Sequence, residues 1–129
     1  MPSIGGAIRT TLVDAPITGV STRVFRDIAP PETQYPFITI SDEITNQPVL
    51  LGDKTVLARN RQMRVNLFQV RAQENVDIVD EICSTLDSAD ISANQDVFCV
   101  RVFDIQRVFD SEDDIVLHAV TLNVIQRAQ

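Results

Sequence analysis

Apolar positions recur along this chain with two periods, and each period predicts an element. Near the start, Ile4, Ala7, Ile8 and Leu12 fall at offsets 0, 3, 4 and 8. That spacing draws one apolar stripe on a helix, with Ser3 as its cap and Pro16 as its stop. Gly5 and Gly6 weaken it by roughly 1 kcal/mol each relative to alanine. Thr18 to Ser21 reads as a turn and Arg23 to Arg26 as a short strand. Pro30-Pro31 imposes an extended linker. A Tyr35-Pro36 bond, open to the cis form, leads into the β-branched strand Phe37 to Ser41.

Residues 45 to 56, with Pro48, Gly52 and Lys54, read as a long hairpin loop. Alternation then returns from Leu57 to Val70. Met63, Val65 and Leu67 share one face, while Arg64, Asn66 and Phe68 share the other. The strongest helix signal runs from Gln73 to Leu86, where Val79, Ile82, Cys83 and Leu86 sit at offsets 0, 3, 4 and 7. Glu74 and Asp77 suit the positive end of its dipole, but no strong capping residue marks its start. Ser88 to Asp96 is a polar loop. Val97 to Phe109 and Ile115 to Ile125 are two long strands joined by the turn Asp110-Ser111-Glu112-Asp113-Asp114.

The order is α-β-β-β-α-β-β. It predicts a single α+β domain over residues 1–129, with a mostly antiparallel sheet of about five strands and two helices packed on one face. The segment Ile115 to Val124 is apolar on both of its faces, as in a strand covered on both sides. Two helices cannot easily cover both faces of such a sheet. The sequence therefore points to one face, or one edge, buried against another subunit.

Composition narrows the function. The chain has 129 residues and a net charge of −7, with 44% hydrophobic residues, which supports one domain with one core. A nucleic-acid-gripping domain needs a basic face, and this balance argues against one. Cys83 and Cys99 are too few for a disulfide scaffold and form no CxxC pair, so they read as small buried hydrophobes. Met1 to Gly6 has neither the basic start nor the apolar run of a leader. The longest apolar stretch, Ile115 to Leu122, is interrupted by His118 and Thr121 and falls far short of a membrane span. Both features point to a soluble chain made in a cytoplasm.

Catalytic patterns are thin. His118 is the only histidine, sits mid-strand and has no G-x-S-x-G elbow to serve, so it reads as structural or as an interface residue. Asp42-Glu43 would point to opposite faces of a strand, and Asp80-Glu81 falls on the polar side of the acidic helix. The cluster Asp110 to Asp114 misses the EF-hand pattern, because Ile115 stands at the sixth position and Thr121 at the twelfth. The four glycines lack phosphate-loop spacing. No catalytic residue, metal site or cofactor is expected, and the chain reads as a non-enzyme.

Charge placement says more. Residues 72–96 carry seven acids and no base, a local −7, while residues 53–71 carry Lys54, Arg59, Arg61, Arg64 and Arg71 against Asp53, a local +4. Three readings stand: salt bridges within the chain, complementary patches that orient repeating subunits, or phosphate binding by the arginines.

A short N-terminal helix, Thr18-Gly19-Val20-Ser21-Thr22-Arg23-Val24-Phe25, Ala29-Pro30-Pro31, Tyr35-Pro36-Phe37-Ile38-Thr39-Ile40, the strand Gln62 to Phe68 running into an amphipathic helix, and a closing hairpin follow one another. In this succession, from about Ile4 to Ile125, the chain resembles the tail-terminator or head-to-tail joining proteins of tailed bacteriophages. The resemblance implies a structural virion protein made in the host cytoplasm. Such proteins form a ring, usually a hexamer, on the head-proximal end of the tail tube, stop tube polymerisation and join the tail to the head connector.

The implied partners are other copies of the chain, the tail tube protein and a head-tail connector or stopper. Genomic DNA passes through the channel without being held, and no membrane is involved. Arg59, Arg61, Arg64, Phe68, Val116, His118 and Val120 are the expected subunit or tube contacts. Another neck component, such as a head-completion stopper or minor tail protein, is the alternative.

Overall fold

The computed structural model describes residues 4–14, 17–50, 56–87 and 97–127. Helix α1 (Ile4–Asp14) is followed by β1 (Val24–Arg26), β2 (Phe37–Leu50) and β3 (Val56–Val70). A single 3₁₀ turn (Arg71–Gln73) then leads to helix α2 (Val76–Asp87), and β4 (Val97–Asp110) and β5 (Ile115–Arg127) close the chain. The class is α+β, in the expected order. The five strands form one sheet in the order β1-β2-β3-β5-β4. Three pairings are antiparallel, and the short β1 joins β2 in parallel, with Val24 opposite Ile38.

Side-chain alternation decides which face of the sheet is buried. Met63, Val65 and Leu67 of β3, Ile38 and Ile40 of β2, and Val120, Leu122 and Val124 of β5 all point to one side and are at most 2% exposed. Ala7, Ile8 and Leu12 of α1 and Ile78, Val79, Ile82 and Leu86 of α2 complete the same core. Burying one such side chain contributes about 1.5–3 kcal/mol, so this layer holds the fold together. Both helices lie on that side, and among the described residues no helix covers the other face.

Two expectations need correction. Residues 45–50 are not loop: β2 continues to Leu50, with Thr45 opposite Gln62 and Pro48 opposite Arg59. A register shift between Ser41 and Thr45 absorbs extra residues there and restores alternation past the break. Residues 51–55 lie outside the described residues. The helix expected from Gln73 starts at Val76, and it does have a cap: Asn75 Oδ1 accepts the Asp77 N–H at 3.0 Å, the arrangement that satisfies a free N–H in the first turn. Strand β5 lies inside the sheet, between β3 and β4.

Other expectations fall partly or wholly outside what is described. The Ser3 cap, the Pro16 stop and the loop 88–96 are among them, as is the side chain of Cys99. Cys83 is half-buried, and burial, followed by the charges of Asp87 and Asp80, pushes its thiol pKa up. The Tyr35–Pro36 bond is cis. At the tip between β4 and β5, Asp110 Oδ1 accepts the Glu112 N–H at 3.0 Å, a side-chain-stabilised turn. Among the described residues no cluster of metal-ligating side chains occurs, and no helix is long and apolar enough to cross a membrane.

Candidate functional site

Strand β4 forms one edge of the sheet, and among the described residues it carries four of the seven exposed large hydrophobics. Phe103, Ile105, Val108 and Phe109 are 62%, 46%, 52% and 38% exposed. Their directions follow from the register. Ile105 lies opposite Val120 and Phe109 opposite Val116, on the helix side, while Val108 lies opposite Leu117 on the open side. Phe103 sits in the register shift between Val102 and Asp104, a bulge that throws it outward. Over Phe109 the Arg71 guanidinium lies 4.9 Å from the ring centroid, a cation–π contact.

The open face carries a second apolar feature. Phe37, Phe68, Leu117 and Val108 face one another across β2, β3, β5 and β4. Phe37 stacks on Phe68 at 4.9 Å, and Tyr35 and Phe25 pack against Phe37 at 5.1 and 6.5 Å. Next to this row the face turns polar. Asn66 donates to Thr39 Oγ1 and Ser41 Oγ, both at 3.3 Å. Arg64 follows, opposite Ser41 and Thr121. Asn60 Oδ1, Arg64 Nε and Asn123 Oδ1 are buried there without a hydrogen-bond partner.

The expected contact residues divide. Arg64 and Phe68 lie half-buried on the open face. Arg59 and Arg61 share the pleat side of Met63, are half-buried and already hold interactions within the chain. Val116, His118 and Val120 do not reach a surface. They are 0%, 5% and 0% exposed under the chain's own helices, because alternation along β5 turns its even-numbered residues toward α1 and α2. The exposed apolar residues of β4, Phe103, Ile105, Val108 and Phe109, stand in the sequence but were not among the expected contacts.

His118 has a structural partner. Its Nε2 lies 2.9 Å from Glu74 Oε2, and Arg107 grips the same carboxylate through Nε at 2.8 Å and Nη2 at 2.9 Å. The Arg107 hydrogen bonds hold the Glu74 carboxyl down at about 2, below its ordinary 4.5, with a smaller contribution from His118. This cluster ties the start of α2 to β4 and β5. The acid of the negative block is thus met by Arg107, outside the basic block. Glu81 likewise accepts from the Thr18 N–H and hydroxyl at 3.1 and 3.3 Å, pinning the turn after α1.

Against solved structures the chain aligns with a chain of a particle described as the virion of a native gene transfer agent. The TM-score is 0.75 at 11% identity, over 98% of this chain and 96% of that one. The two chains share one fold. No family model matches the sequence, and no curated protein matches it.

Proposed function

We propose that this chain is a structural virion protein that forms a ring, a hexamer by the family pattern, at the head-proximal end of a phage-type tail tube. In this reading it ends tube polymerisation and joins the tail to the head connector. The observation that carries the proposal is the end-to-end likeness to a gene transfer agent virion chain, which leaves almost no residue of either chain unaligned. The exposed apolar edge of β4 supports it. An edge strand of fourteen residues with four exposed large hydrophobics is suited to contact another chain. Copies joined through unlike surfaces form a closed ring when the rotation between them closes.

The proposed partners are further copies of the chain, the tube protein and the connector or stopper. Arg59, Arg61, Arg64 and Phe68 are proposed contacts to a neighbouring copy or the tube. DNA passes through the ring without specific binding, since a net charge of −7 provides little to hold phosphate. Electron microscopy of particles lacking this chain tests the reading. Unjoined tails of uncontrolled length are expected. Full-length joined tails, or heads that leak DNA beside normal tails, overturn it, the latter in favour of a stopper.

A further inference from the structure

The sheet ends in β1 on one side and in β4 on the other, and the two edges carry unlike features. Just past β1, Ile28 is 82% exposed, more than any other large hydrophobic among the described residues. Its backbone is fixed. Asp27, at φ 65°, turns the chain off the strand and donates its N–H to the Ile40 carbonyl at 2.8 Å, and the Ile28 N–H donates to the Arg26 carbonyl at 2.8 Å. This edge is also cationic. Arg9 of α1 donates through Nε to the Val24 carbonyl at 2.8 Å. Arg26 shares the pleat side of Val24, toward the helices, and both arginines are exposed. At the β4 edge the helix side is apolar and acidic. Asp87 Oδ1 accepts the Val102 N–H at 2.8 Å, and Glu74 Oε2 accepts from Arg107 Nε at 2.8 Å. Ile105, 46% exposed, therefore lies between two ties to α2 and its approach. Asp80 and Asp87 are exposed on one flank of α2, with Cys83 between them, whose thiol pKa their charges help to raise.

We propose that the β1 edge of one copy, with Ile28 as its knob, seats on the α2–β4 edge of a second copy, against Ile105 and Phe103. The proposal rests on the ring reading and names the joint that builds the ring. Charge selects the occupant: Arg9 and Arg26 of one copy approach Asp80 and Asp87 of the next, and opposite patches orient the encounter. Layering agrees, because α1 and α2 lie on the same side of the sheet, so that helix meets helix and strand meets strand across the joint. Each copy has one edge of each kind. The contact therefore repeats head to tail until the rotation closes. Pairing of β4 with β4 would instead be two-fold and would end at a dimer.

Sedimentation of two full-chain variants, alone and mixed, tests this. Ile28→Asp breaks the β1 edge and Ile105→Asp breaks the β4 edge. Circular dichroism checks that each folds, and Asp80→Arg takes the place of Ile105→Asp if the latter does not. Each variant alone should stay a single subunit at about tenfold the concentration at which the unmodified chain assembles. Mixed one to one at high concentration, the two should form heterodimers and nothing larger, because each supplies the edge that the other lacks. Assembly of Ile28→Asp at the same concentration as the unmodified chain overturns this joint and leaves the ring standing. A mixture that stays as single subunits overturns it too. An unmodified chain that forms no ring, alone or on tube ends, overturns the ring reading and the joint together.

Discussion

Glu74 shows how one side chain sets a pH dependence. Its carboxyl titrates at about 2 in the fold and near 4.5 in the absence of its partners. A folded-state value below the unfolded one contributes stability that is present above pH 4.5 and is lost as pH falls toward 2. Urea unfolding measured between pH 5 and 2 should therefore show a falling midpoint, and Glu74→Gln should flatten that slope. Glu74→Ala also leaves His118 buried without its acceptor, at a cost of about 1–3 kcal/mol, read as a lower unfolding midpoint at pH 7. Little of this was legible in the sequence. The acidic run pointed to the helix dipole, and nothing local linked position 74 to 107 and 118. Those residues meet because β4 and β5 pair and the 3₁₀ turn carries Glu74 over them.

At the scale of elements, the strongest local patterns survived folding. The alternation of Met63, Val65 and Leu67 against Arg64, Asn66 and Phe68 matches the two faces of β3, because strand period and burial agree there. The α2 stripe holds for the same reason, and Leu86→Ala in its buried face should cost about 2–5 kcal/mol in chemical unfolding. Boundaries were harder. Pro48 and the polar run around it read as loop, yet partners on β3 extend β2 to Leu50. Asn75 was passed over because Gln73 looked like the start of the helix. Its cap is worth about 1 kcal/mol, so Asn75→Ala should lower stability by that amount with no change in oligomeric state.

For the whole molecule, the exposed edge of β4 and the open face are the surfaces on which the proposed assembly is tested. Phe103→Lys together with Val108→Lys should leave the subunit folded, since both side chains already face solvent. The double variant should sediment as single subunits where the unmodified chain assembles. Circular dichroism that shows lost strand content would assign the effect to unfolding instead. Charge reversal at Arg64 tests the open face: Arg64→Glu should weaken assembly and shift its salt dependence, whereas unchanged assembly removes that residue from the contact.

The bulge at Phe103 and the end of α2 have a separate consequence, for the chain on its own in solution. Asp87 Oδ1 accepts the Val102 N–H at 2.8 Å, beside the register shift that displaces Phe103. A carboxylate and a bulge thus interrupt the free rim of β4 near its middle. An uninterrupted fourteen-residue rim rich in phenylalanine and valine is a template for cross-β stacking. The interruption divides it into two short stretches, each a poor seed. Asp87→Ala should therefore raise the rate of thioflavin-positive fibre formation at high concentration far more than it lowers the unfolding midpoint. On this account the last residue of α2 guards the subunit against its own kind of sheet, so that its sticky rim remains fit for ordered contacts.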